Sequence, residues 1–130
     1  MTRYDHVAFQ VRDLDDALDF YLTKLGFTLE FRSVNPEEHE AYAFLSLGDV
    51  RLELIQNLQD ADFRPPAVAP PYCPHLAIEV DDMAQAVRRL ETSGVSVLRG
   101  PLRVEGEDTW LYFLDPDNNV LEFIQWLARK

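Results

Sequence analysis

Four residues of this chain have the types and the spacing to hold a divalent cation. His6 lies 47 residues before Glu53, and His75 lies 47 residues before Glu122. The surroundings repeat as well. Segment 6–12, HVAFQVR, matches segment 75–81, HLAIEVD, and segment 52–55, LELI, matches segment 121–124, LEFI. A lone strand histidine is more often a structural residue than a ligand, and a lone strand glutamate is usually solvated. A His/Glu pair repeated at one spacing is a stronger signal. Two imidazoles and two carboxylates form a donor set of borderline hardness, suited to Zn²⁺, Ni²⁺, Co²⁺, Mn²⁺ or Fe²⁺. Four protein ligands in an octahedral field would leave two positions for water or substrate, so one cation per site is the expectation.

The elements that must carry these residues are legible from periodicity. Val7, Phe9 and Val11 alternate, as do Leu76, Ile78 and Val80, which predicts two half-buried strands with His6 and His75 on the opposite face. Asp13 and Asp82 are N-cap candidates for the helices that follow, and Asp16 falls in a capping-box-like position. Leu14, Ala17, Leu18, Tyr21, Leu22 and Leu25 recur at helical spacing, as do Met83, Ala86, Val87 and Leu90; Gly26 and Gly94 close the two helices. A short strand and then a hairpin follow in each half: 41–47 and 50–56 around Gly48-Asp49, then 108–114 and 120–126 around residues 115–119. The order is βαβββ twice, and an offset of 69 maps His6 onto His75, Asp13 onto Asp82 and Glu53 onto Glu122. Period-2 geometry puts both glutamates opposite the core, because their neighbours Leu52, Leu54, Leu121 and Phe123 are apolar.

The predicted fold class is α+β: two paired βαβββ modules forming a curved, half-barrel mixed sheet around a metal cavity. The expected organisation is one domain over 1–130. Module one spans about 4–56, a linker about 57–74, and module two about 75–127. The linker carries five prolines between Pro65 and Pro74, which suits a stiff, extended connector.

Composition sets the outer bounds. A chain of 130 residues with 47% hydrophobic and 27% charged residues fits one globular domain with a core of its own. A net charge of −11 disfavours nucleic acid and anionic lipid as partners. The single cysteine, Cys73, excludes an intrachain disulfide; with neither a signal-like start nor a membrane-length apolar run, the expected location is the cytoplasm.

These motifs together resemble the vicinal oxygen chelate superfamily, which includes glyoxalase I, methylmalonyl-CoA epimerase, extradiol dioxygenases, fosfomycin-modifying enzymes and bleomycin-resistance proteins. The resemblance covers nearly the whole chain. It rests on residues 6–27, 52–54 and 75–82, and on 115–119 leading into 121–123. It implies His6, Glu53, His75 and Glu122 as the ligands, the set found in glyoxalase I and the epimerase. Segment 33–37, SVNPE, is also similar to a loop of bacterial glyoxalase I. The approach to His75 departs from that family: it reads PPYCP over 70–74, where bacterial glyoxalase I is usually glycine-rich.

What the resemblance implies is a metal-dependent lyase or isomerase, glyoxalase I-like, moving a proton beside a metal-bound carbonyl through an enediolate. Glu122 is the first choice for the proton-moving carboxylate and Glu53 the second. Hairpin register then suggests pocket walls. A two-residue turn pairs Phe44 with Glu53 and Ser46 with Arg51, and a five-residue loop pairs Tyr112 with Glu122 and Trp110 with Ile124. Tyr42, Phe44, Trp110 and Tyr112 would line an aromatic cavity, or equally seal a barrel mouth or a dimer contact. Arg51 would hold an anionic group of a small-molecule substrate, or partner Glu53. Cys73, two residues before His75, would face the same cavity or simply be a small residue at a strand entrance. The exposed edges of such sheets favour a homodimer. Two other readings stay open: a non-catalytic small-molecule binding or resistance protein of this fold, and an extradiol-type dioxygenase, against which the second glutamate counts.

Overall fold

Alternation of apolar residues at period 2 and period 3.6 gives the described residues eight strands and two helices. A computed structural model describes residues 1–128. The first half contains β1 (Val7–Gln10), α1 (Leu14–Asp19) continuing as a π-helical segment (Phe20–Lys24), β2 (Thr28–Asn35), β3 (Glu40–Leu47) and β4 (Val50–Asn57). The second contains β5 (His75–Glu79), α2 (Met83–Thr92), β6 (Val97–Val104), β7 (Asp108–Leu114) and β8 (Val120–Trp126). The chain divides into two compact units at Pro65/Pro66.

Each unit is one βαβββ module with a four-stranded mixed sheet. The strand orders are β1-β4-β3-β2 and β5-β8-β7-β6, the same arrangement twice, so the fold is α+β as the periodicity predicts. In both, the first strand runs parallel to the last, with Val7 beside Leu52 and Leu76 beside Leu121. The connecting strands are antiparallel, and the predicted register holds: Phe44 lies opposite Glu53, Ser46 opposite Arg51, Tyr112 opposite Glu122 and Trp110 opposite Ile124. The segment after each helix is longer than a short strand. β2 and β6 have eight residues each, both paired antiparallel with the next strand and both interrupted by bulges. Residues 33–35 of the segment similar to a glyoxalase I loop therefore belong to β2, and the turn begins at Pro36.

Burial follows the pattern. Leu14, Ala17, Leu18 and Tyr21 pack with Ala43, Leu45, Leu52 and Leu54 in the core of the first unit, all at most 6% exposed. Met83, Ala86 and Leu90 do the same with Leu111, Phe113 and Leu121 in the second. Asp13 and Asp82 are the N-caps, accepting from Asp16 N–H at 3.0 Å and Gln85 N–H at 3.1 Å. A second device, invisible to local pattern, repeats beside them. Leu14 N–H donates to Gln56 Oε1 at 2.9 Å, and Met83 N–H donates to Gln125 Oε1 at 2.8 Å. Each last strand thus satisfies an orphan donor at the start of its own helix.

One difference between the halves has a clear physical reason. From Asp13 to Gly26 is one residue more than from Asp82 to Gly94. The surplus residue is taken up by the π-helical segment, where continuous α-helix is the expectation from spacing. The closing hydrogen bonds record it: Phe27 N–H reaches back six residues to Tyr21 O, whereas Val95 N–H reaches back five to Leu90 O. The offset between halves is therefore 68 at Gly26 and Gly94 and again at Phe44 and Tyr112; in between, an extra bulge residue in β6 is cancelled by a shorter turn before β7. It returns to 69 in the second hairpin, where Asp115 N–H bonds to Asn119 O around a loop one residue longer.

The first part of the expected linker is held against the first unit. β4 includes Asn57, Phe63 is buried, and Arg12 donates to Phe63 O at 3.0 Å while its guanidinium lies 5.0 Å from the ring centre. Asn118 Nδ2 donates to Pro66 O at 3.3 Å, tying the start of the second unit to its own hairpin loop.

Replacing Gln125 with Ala should leave the Met83 N–H unsatisfied and cost about 1 kcal/mol. That lowers Tm by about 4 °C. Gln56→Ala should behave alike in thermal denaturation. A Tm within 1 °C of the parent for both would remove these glutamines from the account of helix initiation.

Candidate functional site

Parallel pairing of the first and last strands brings each histidine to its glutamate. Ala8 is the register partner of Glu53 and Ala77 of Glu122, and each histidine stands two residues earlier on the same sheet face. His6 Nε2 lies 3.2 Å from Glu53 Oε1, and His75 Nε2 lies 3.0 Å from Glu122 Oε1. Of the four expected ligands, each unit thus joins its own two. Among the described residues no group of three or more His, Cys, Asp or Glu side chains is placed to hold a metal ion; the ligating types come as two pairs.

Both rings are also held from behind. His6 Nδ1 donates to Asp5 Oδ2 at 2.6 Å, and His75 Nδ1 donates to the Tyr72 carbonyl at 3.0 Å. With Nδ1 engaged as donor, Nε2 is the nitrogen whose lone pair faces the carboxylate. The His75–Glu122 contact is a hydrogen bond, which needs one proton between Nε2 and Oε1. A bound cation would take the place of that proton. Imidazole nitrogens fixed in this tautomer beside carboxylate oxygens fit a divalent cation of borderline hardness.

The acceptor for His75 is bought with backbone conformation: Tyr72 sits at φ 64°, in the left-handed region that glycine enters freely. Its amide bonds to Ala69 O at 2.8 Å. Cys73 is exposed, with Sγ 3.6 Å from Pro71 O and 4.0 Å from His75 Nδ1.

Glu122 is the more enclosed carboxylate. It is 9% exposed, and burial raises its pKa above the ordinary carboxylate value, against the lowering effect of His75. Asp108 adds to the rise through its charge; it is itself buried, with Oδ1 unpartnered. Nothing in local pattern marks Asp108, since a strand-initial aspartate is commonplace. Tyr112, opposite Glu122, has its pKa raised by burial and then by Glu122, so its phenol remains a neutral donor.

The expected aromatic walls divide between the units. In the first, Phe44 meets the His6 ring edge-on at 4.8 Å and stacks on Phe31 at 5.2 Å, and Tyr42 lies 6.2 Å from Phe44. In the second, Tyr112 meets His75 at 5.1 Å and Tyr72 at 5.2 Å, while Trp110 is half-buried opposite Ile124. Phe31 and Tyr72 were not predicted, because they reach the histidine neighbourhood through β2 and through the proline-rich approach. Arg51 is placed on the Glu53 face, but its ion pairs go to Glu30 and Asp5, each at 3.0 Å, and its guanidinium lies 4.8 Å from the Phe44 ring centre. A cavity of about 280 Å³ opens farther along the same sheet, lined by Ala8, Gln10, Glu40, Ile55 and Asn57, with Phe9 at its edge.

Comparison with known proteins gives these pairs a context. The family model of the Glyoxalase/Bleomycin resistance protein/Dioxygenase superfamily matches residues 3–123. A lactoylglutathione lyase of Neisseria meningitidis is 34% identical over 126 residues, covering 92% of this chain and 88% of the relative. One from Escherichia coli O157:H7 is 31% identical over 125 residues, covering 92% and 90%. The crystal structure of a glyoxalase family protein from Enterococcus faecalis superposes with a TM-score of 0.76 at 27% identity, covering 94% and 96%. The repeated βαβββ module, its duplicated His/Glu pair and a match over most of its length make this chain a member of the glyoxalase/bleomycin resistance protein/dioxygenase superfamily, the vicinal oxygen chelate fold.

Proposed function

We propose that the protein is a metal-dependent lyase or isomerase of the glyoxalase I kind, with the pairs His6–Glu53 and His75–Glu122 as its metal ligands. The observation that carries this reading is the tethering of both Nδ1 atoms, which leaves two Nε2 atoms facing carboxylate oxygens at 3.2 and 3.0 Å. The names of the relatives support the same class, and with them a glutathione-derived substrate. When bound, a divalent cation supplies Lewis-acid polarisation of a substrate carbonyl.

The chain's own residues supply the proton handling. Glu122, with its pKa raised by burial, is suited to take a proton from the carbon beside a carbonyl and return it to the neighbouring carbon. Glu53 is the second carboxylate available for that exchange. Tyr112, neutral and opposite Glu122, can donate to an oxygen of the substrate or of the carboxylate. The half-buried rings of Phe44, Tyr112 and Tyr72 beside the histidines limit water there.

Three outcomes test this. His75→Ala should weaken binding of added Zn²⁺ or Ni²⁺ to metal-free protein at least tenfold in calorimetric titration, as loss of a ligand implies; stoichiometric metal retained by a His6→Ala/His75→Ala double variant would refute the assignment.

Glu122→Gln should lower kcat by about 10²–10⁴-fold on the hemithioacetal of glutathione and a 2-oxoaldehyde. Metal occupancy must be measured on the same sample, since lost metal would mimic a lost base. Unchanged turnover at full occupancy would move the role to Glu53.

The raised pKa of Glu122 also has a sign in stability. A carboxyl whose folded pKa lies above its unfolded value stabilises fully below the unfolded pKa, and that contribution is lost as pH rises through the folded one. Glutamine never ionises. Metal-free Glu122→Gln should therefore gain Tm relative to the parent as pH rises above the ordinary carboxylate range, with a flat difference below about pH 4. A difference that shrinks with rising pH would contradict the burial effect.

A further inference from the structure

The two histidines are held by chemically different acceptors. His75 leans on a backbone carbonyl, which no side-chain substitution removes. His6 leans on the Asp5 carboxylate, and Asp5 is in turn paired with Arg51 Nη1 at 3.0 Å. Arg51 is anchored on its other side: Nε and Nη2 both donate to Glu30 Oε1, at 3.1 and 3.0 Å. Its guanidinium lies over Phe44, whose ring also meets His6 edge-on. Glu30, Arg51, Asp5, His6 and Glu53 therefore form one continuous chain of contacts across β2, β4 and the approach to β1.

We propose that Asp5, held in place by Arg51, is the positioning residue of His6. It fixes the ring with Nδ1 protonated and Nε2 bare toward Glu53, and so sets the affinity of that His–Glu pair for a divalent cation. Arg51, expected from its sheet face to hold a substrate anion, acts here through Asp5. Its three donor contacts are taken by two carboxylates on either side of it. Three features separate this from an ordinary surface ion pair, which contributes little. The Asp5–His6 contact is short at 2.6 Å, the Arg51 fork grips one Glu30 oxygen with two donors, and the Phe44 ring packs against both the guanidinium and the imidazole. A carboxylate behind a ligating imidazole fixes its tautomer and orientation and raises its basicity, and losing such a partner typically costs about 10–100-fold in metal affinity.

The inference rests on the metal reading of His6, so the experiment includes His6→Ala. Co²⁺ is titrated into metal-free parent, Asp5→Ala, Asp5→Asn, Arg51→Met, Asp5→Ala/Arg51→Met and His6→Ala, following the cobalt absorption bands. Asp5→Ala should weaken Co²⁺ binding by about 10-fold or more. Asp5→Asn, which keeps an acceptor but not the charge, should fall between Asp5→Ala and the parent. Arg51→Met should weaken binding when Asp5 is present and add nothing in the Asp5→Ala background. In ¹⁵N spectra of the metal-free protein, the His6 ring should carry its proton on Nδ1 in the parent and shift toward Nε2 in Asp5→Ala, a change that a purely structural role would not produce. Asp5 is largely exposed, so the Asp5→Ala and Asp5→Asn variants should keep the parent Tm. If His6→Ala weakens binding while Asp5→Ala binds as the parent does, the positioning role is wrong. If His6→Ala binds as the parent does, the metal reading of His6 fails, and the proposal with it.

Discussion

A parallel ladder between the first and last strand of each module is the constraint on which the site depends. Residues 6 and 53 are far apart in sequence, and only the β1–β4 pairing puts their side chains on one face within 3.2 Å. The same holds for β5–β8 and the 3.0 Å contact of His75 with Glu122. Parallel strands need a long connection, and here it is the helix, which carries the chain across the sheet to the far edge, followed by two antiparallel strands that lead back; the helix's apolar stripe covers the opposite face. Gln56 and Gln125 then tie the start of each helix to the far end of the strand that carries the glutamate. Sheet, helix and His/Glu pair are thus one mechanical unit, present twice.

Fixing a histidine takes more than pairing it with a glutamate. An imidazole has two nitrogens, and a ring free to rotate or exchange tautomers offers a poor lone pair. This chain solves that problem in two ways, with a carboxylate in the first unit and a strained turn in the second. The left-handed Tyr72 turns its carbonyl onto His75, and its ring onto Tyr112. The proline-rich stretch that departs from the glycine-rich pattern of bacterial glyoxalase I is therefore part of the histidine's support rather than a passive linker.

Much of this was legible in the sequence because it is written in period and register. Alternation around Val7, Phe9 and Val11 puts His6 on the other face, and a turn of known length fixes which residue stands opposite Glu53. The same rules place Tyr112 opposite Glu122. Side-chain reach is not written that way. Arg51 shares a face with Glu53, yet its length and five donors let it choose Glu30 and Asp5, which no period announces. Asp108 is an unremarkable strand residue until burial leaves one of its oxygens without a partner. The π-helical segment was hidden for a different reason: its side chains, Phe20 and Tyr21 among them, still bury at nearly helical spacing, so the apolar stripe reads as ordinary helix.

That segment has a bearing on how a chain of this design tolerates changes in length. A strand that gains or loses one residue turns every following side chain to the wrong face, which here would carry Phe44 or Tyr112 away from its histidine. A helix end has no such parity, because a wider turn stores the surplus residue and returns the chain at the same point. A hairpin loop is equally indifferent. The two modules differ in length at the helix end and the last hairpin, and these two differences cancel by the last strand; a third, an extra bulge residue in β6, is offset by the shorter turn that follows it. Single-residue differences thus sit at a helix end, a turn or a bulge, each of which absorbs them before the next strand, and a protein can drift in length without losing the alignment of its chemistry.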